Sequence, residues 1–289
     1  MRKLQLVAIG KTMEEAEEIA SIVRSFLESM VPIKTVTIDK IAVEEDCLYI
    51  APSSEKDGLK KIPKDRLSFF DMHPTDDFFA KVRKIPENYP IYVFNGHFSY
   101  VNLLRKECRR RGIRRNFFPI AFLDQPKKDV EFLLKRAEYI VGIDYKMGTQ
   151  ALFSERYRGF LRGNVKIITG RRAASAHSAG KLLGKIATYH ERKMKAEFKR
   201  IKTLHESGED IEVLTDALFN RIFDVAVHLS NANCLINANE GRNSYDDDLF
   251  LEDDGLELTG DIEDDFLRIS ARMLNFELLR QRIQFLARS

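Results

Sequence analysis

Gly10-Lys11-Thr12 stands between a short apolar run and a helical stretch, where a phosphate-binding loop would stand. Such a loop also needs a glycine five residues earlier, and that position is Gln5, so the full motif is absent. What is left at Lys11 and Thr12 is a helix start with backbone donors, a lysine and a hydroxyl. That is either a general anion site or a plain strand-to-helix turn. Asn95-Gly96-His97-Phe98-Ser99 follows the clearest apolar run, 91–94. Gly96 lets a ligand approach the backbone, and Asn95, His97 and Ser99 offer polar groups. The competing reading is a capped turn with an exposed histidine. Ser53 and Ser54, His73 in Asp71-Met72-His73-Pro74, and Gly170 and Arg171 before Arg172 occupy matching strand ends. Ligands of open parallel sheets bind at the carboxyl ends of the strands, so these residues form the predicted ligand-binding set.

Other chemistries find less support. His73 and His97 have no spaced third ligand, so neither a metal nor a cofactor is expected. Residues 246–265 hold 11 acidic side chains and no basic one, but a calcium loop with Gly255 sixth would put Phe250 first, where an aspartate belongs. Cys47, Cys108 and Cys234 lie far apart in no metal-ligand spacing, which fits reduced thiols and a cytoplasmic location. No catalytic constellation stands out, and a non-enzymatic role is expected. Arg105, Lys106, Arg109, Arg110, Arg111, Arg114 and Arg115 form the densest basic cluster. Arg105, Arg109 and their neighbours occupy the outer face of a helix whose Val101, Leu104 and Cys108 point inward. This reads as a solvated face or a dock for the acidic C-terminal region rather than a nucleic-acid surface.

The elements that position these residues alternate. Apolar runs at 4–9, 36–38, 47–50, 67–70, 91–94, 116–122, 139–141 and 165–169 read as strands. Amphipathic stretches at 13–30, 77–84, 99–112, 129–136 and 149–161 read as helices. That rhythm predicts an α/β fold of two small, flavodoxin-like parallel-sheet lobes over residues 1–173. One long helix is expected over 174–208, stopped by Gly208, either a linker helix that pairs in a dimer or a final packing helix. Residues 209–289 change character: 17 Asp and Glu face 7 Arg from Asp210 onward, with no lysine. There a helix at 211–223, a hairpin of strands 225–229 and 234–238, an acidic loop or locally disordered segment and a final helix at 263–287 are predicted. No run approaches the ~20 apolar residues of a membrane span. The start, basic and then apolar, reads as a first strand rather than a signal peptide, because Glu14, Glu15, Glu17 and Glu18 follow at once.

Residues 1–205 resemble the N-terminal receptor region of bacterial sigma-54-type transcription activators, closest to the propionate-regulator (PrpR) type. The resemblance lies in residues 4–10, in Cys47-Leu48-Tyr49-Ile50-Ala51-Pro52-Ser53, in Pro90-Ile91-Tyr92-Val93-Phe94-Asn95, and in residues 165–172 leading into the long helix. It implies two α/β lobes, an effector cleft and a helix leading to a PAS domain, whose opening helix and hairpin residues 217–239 resemble. The acidic loop and final helix depart from the PAS pattern, and the ATPase and DNA-binding parts of such activators are missing. The function so implied is a ligand-sensing module of a transcriptional regulator: a small-molecule effector, an output-domain or transcription-machinery partner, no membrane, and no direct nucleic-acid contact. An enzyme acting on a phosphorylated or nucleotide-like molecule near Lys11, His97 and Arg171 remains the alternative, as does nucleic-acid binding through residues 105–115. The wide apolar surface of the final helix, including Phe266, Ile269, Met273, Phe276 and Ile283, predicts a homodimer held by the C-terminal region, with intramolecular burial as the competing outcome.

Overall fold

A computed structural model describes residues 4–143, 146, 151–239 and 257–286. The chain forms two compact units, one from Met1–Asp71 with Ala174–Ser289 and the other from Met72–Ala173. Each is built on its own four-stranded parallel sheet, as the α/β rhythm of the sequence requires.

In the first unit β1 (Gln5–Gly10), β2 (Ile33–Thr37), β3 (Cys47–Pro52) and β4 (Leu67–Phe70) stand in the order β2-β1-β3-β4. The register pairs Gly10 with Thr37, Gln5 with Cys47, and Pro52 with Phe70. Alternation splits each strand between two cores. Val7, Ile9, Cys47, Tyr49 and Ala51 pack with Ile41, Leu59 and Ile62 on one face. Leu6, Ala8, Leu48 and Ile50 point to the other, and α1 (Met13–Leu27) packs on β1 with Ala16, Ile19, Ala20 and Val23 buried.

The second unit repeats the plan. β6 (Ile91–Asn95), β7 (Phe117–Ala121), β8 (Tyr139–Ile143) and β9 (Lys166–Gly170) lie in the order β7-β6-β8-β9. Ile91, Val93 and Val141 join α2 (Asp76–Arg83) and α3 (Phe98–Arg110) in one core. Tyr92, Phe94 and Ile140 join α4 (Lys127–Arg136), Leu152 and Tyr157 in the other. Two short strands, β5 (Met72–Pro74) and β10 (Arg172–Ala174), pair where the chain passes between the units.

Two expectations change, at 149–161 and at 225–238. The helix predicted at 149–161 lies partly outside the described residues. Residues 151–157 are turns and only Arg158–Phe160 forms a 3-10 turn. The acidic loop expected from residue 246 lies outside the described residues up to 256, and the final helix begins at Ile262, beside the expected 263. Residues 174–208 form a helix that packs within a unit: α5 (Ala176–Glu206) clusters with the first unit and packs on β4, on α6 (Glu212–Asn239) and on α7 (Ile262–Leu286). Gly208, at φ +79, follows its end. The hairpin at 225–238 is instead the continuation of α6. Ile222, Val225, Leu229, Ala232 and Ile236 recur at helical steps and are buried among α5, α7 and α1. That burial outweighs the weak helix propensity of Asn and Val, which costs only a few tenths of a kcal/mol per residue. A lone hairpin has no comparable source of stability.

The final helix divides its apolar residues between two faces. Ile269, Phe276, Leu279 and Ile283 are buried against the other helices, whereas Leu267, Leu274, Leu278 and Phe285 are exposed. The polar position in the buried face, Arg280, reaches Glu191 of α5 at 2.6 Å.

Candidate functional site

The strand order of the first sheet reverses between its two central strands, β1 and β3. From β1 the chain steps outward to β2, then crosses to β3 on the other side. The carboxyl ends of β1 and β3 therefore flank a topological switch point, the usual ligand position of an open α/β sheet. Lys11 and Thr12 follow β1 and Ser53 and Ser54 follow β3, so four of the predicted residues meet here. Asp71 follows β4, the next strand in the sheet.

Hydrogen bonds fix these ends. The Lys11 ammonium lies 2.9 Å from Glu55 Oε1, and this pairing raises the lysine pKa above its ordinary value. Glu55 is buried and also accepts from the Ser54 hydroxyl at 3.1 Å. The Ser53 hydroxyl donates to Asp71 Oδ1 at 2.5 Å. The Asp71 amide in turn donates to Ser178 Oγ at 3.0 Å, and its carbonyl accepts from the Ser175 amide at 2.9 Å. Ser175 caps α5, accepting from the Ser178 amide at 3.2 Å. A line of polar groups thus runs from the strand ends into the first turn of a 31-residue helix.

The α1 start is already capped. Thr12 Oγ1 accepts from the Glu15 amide, and Glu15 accepts from the Lys11 amide at 2.8 Å. This reciprocal box places a carboxylate where an anion would sit. Gly10 is needed for the close turn: a Cβ there would stand 2.5 Å from the Ala16 nitrogen.

The remaining predicted residues lie in the second unit. Asn95, Gly96, His97 and Ser99 occupy the corresponding end of β6 and the start of α3. Asp124 takes that helix start: it accepts from the Phe98 amide at 2.8 Å and meets His97 Nδ1 at 2.9 Å. The Phe98 amide first and His97 second hold the Asp124 carboxyl below its usual pKa. His97 is therefore an exposed histidine on a capped turn. His73 lies on β5, and Arg171 joins β9 to β10, where its carbonyl accepts from the Thr75 amide at 3.1 Å. Gly170 serves packing, because a Cβ there would overlap the Phe78 side chain.

The basic cluster is partly consumed by structure. Arg111 pairs with Asp76 at 2.9 Å and Glu107 at 3.1 Å, and Arg115 with Glu87 at 3.3 Å and the Ile85 carbonyl. Among the described residues no group of three or more His, Cys, Asp or Glu could hold a metal, and no helix is long and apolar enough to cross a membrane. Cys108 is buried, and burial pushes its thiol up to about 12, so it is no nucleophile.

Sequence reasoning missed Glu55, Asp124, Ser175 and Ser178. Only the serines carried a signal, an N-cap hydroxyl before a helical stretch. No family model, no curated protein and no solved structure matches the chain.

Proposed function

We propose that this chain is a ligand-sensing module whose effector binds at the switch point of the first sheet. The observation that carries the reading is the convergence of Lys11, Ser53 and Asp71 on the ends of three adjacent strands. Strands spaced ~4.8 Å apart put the outer two about 10 Å from each other, the span of a small metabolite. A cation, a hydroxyl and a carboxylate in that span suit a molecule with both acid and donor groups, such as an amino acid or hydroxy acid.

The bond from the Asp71 amide to Ser178 gives such a ligand a mechanical output. A molecule that competes with Ser53 for the Asp71 carboxylate moves the segment on which the first turn of α5 rests. That helix carries α6 and α7 with it. The module acts in the cytoplasm as a homodimer and passes its state to an output domain or to the transcription machinery. It has no catalytic role, and the nucleic-acid alternative is weakened by the pairing of Arg111 and Arg115. Native mass spectrometry of the protein with a panel of amino and hydroxy acids tests the reading. Retention of one ligand per chain supports it, and retention of none counts against it.

A further inference from the structure

The exposed face of α7 is a heptad seam. Leu267, Ala271, Leu274, Leu278, Gln281 and Phe285 follow one another in alternating steps of four and three, and each is exposed. Leu267 and Phe285 are 69% and 70% accessible, although a core-facing helix needs only one apolar stripe and α7 already buries one through Ile269, Phe276 and Ile283. Such a repeat, sustained along a helix, is the pattern by which two helices pack knobs into holes.

The charges beside the seam choose the partner and its direction. The flanking positions on one side are Glu263, Ser270, Glu277 and Gln284, and on the other Arg268, Asn275 and Arg282. In a parallel pair each residue of the first group faces the residue five places later in the other helix. That matches Glu263 with Arg268, Ser270 with Asn275, and Glu277 with Arg282, two acid–base pairs and one polar pair, with Arg268 and Glu277 also pairing within the chain to Asp264 at 2.8 Å and Lys195 at 3.5 Å. An antiparallel pair would set Arg268 near Arg282 of the other copy.

We infer that α7 is the dimerisation element of this protein, pairing in parallel and in register with α7 of a second copy. The seam is self-complementary, so it needs no other partner. The interface does not use the ligand site, and its test is separable from that of effector binding.

Sedimentation velocity of the full chain and of the double variant Leu274→Glu/Leu278→Glu reads the interface. The expected result is a wild-type dimer at micromolar concentration and a monomeric variant with an unchanged circular-dichroism spectrum, since both side chains are outside the core. A monomeric wild type, or a variant that remains a dimer, overturns the inference. The direction is read from Gln281→Cys under mild oxidation. Parallel, in-register seams bring the two cysteines together, giving a covalent dimer at high yield that wild type does not form. A Gln281→Cys dimer that does not cross-link overturns the parallel arrangement. If Leu274→Glu/Leu278→Glu loses helix content, Leu267→Lys with Phe285→Lys, at the most exposed seam positions, replaces it and must give the same monomer.

Discussion

Glu55 Oε1 lies 2.9 Å from Lys11 Nζ, so a buried carboxylate after β3 holds an exposed lysine after β1 across the switch point of the first sheet. The pair fixes the geometry of that end of the sheet.

Lys11→Met tests the pair. The lysine ammonium is largely exposed, so water screens the attraction, and the loss is expected to be ~1 kcal/mol at neutral pH. The lysine pKa is raised in the folded state, mainly by the hydrogen bond to Glu55. Its contribution is therefore fully present below the unfolded value of 10.5 and fades as pH rises through the folded value. Urea unfolding of both proteins should show the gap at neutral pH and its closure in strong base.

The Glu191–Arg280 pair should behave differently, because both groups are mostly buried. Breaking it by Arg280→Met leaves Glu191 with Lys195 alone, at 2.7 Å, and should cost ~3 kcal/mol. Replacing both with Glu191→Leu/Arg280→Met should recover most of that loss, since no uncompensated charge remains. A double variant as unstable as the sum of the singles would show that the pair is not the coupled unit described.

His190 supplies a pH prediction. Burial first, and the Arg221 charge second, push its pKa down to about 4 from 6.5. The charged form is disfavoured in the folded state, so stability is intact above the unfolded value and is lost as pH falls from 6.5 toward 4. The shift corresponds to about 3 kcal/mol. Denaturation across that window should show a steeper loss in wild type than in His190→Phe, which keeps an aromatic ring and removes the titration.

Strands were legible in the sequence because sheets buried on both faces demand short continuous apolar runs, such as Ile91-Tyr92-Val93-Phe94. Their ends, and hence Lys11, Ser53 and Asn95, were legible with them. The partners were not. Glu55 and Asp124 look like ordinary surface acids, and the residues they meet lie 44 and 27 positions away. Strand order, which makes β1 and β3 neighbours, is likewise a matter of tertiary packing. The helix through Val225 and Ile236 was misread because β-branched residues around Ser230-Asn231-Ala232-Asn233 mimic strands and a turn. Only burial against three other helices decides between the two. The apolar width of the final helix was legible, but its division into a core face and an exposed seam was not.

The central claim is that a small polar molecule binds at the ends of β1, β3 and β4. Thermal unfolding with a panel of amino and hydroxy acids, on wild type, Lys11→Met, Ser53→Ala and Asp71→Asn, tests it most directly. A ligand at 100 times its dissociation constant stabilises by ~2.7 kcal/mol, which for a chain of this size is a rise of about 5–10 °C in Tm. The account predicts that rise for at least one compound on wild type and its loss or marked reduction in all three variants. A compound that stabilises wild type and all three variants equally, or a panel that stabilises none, would contradict it.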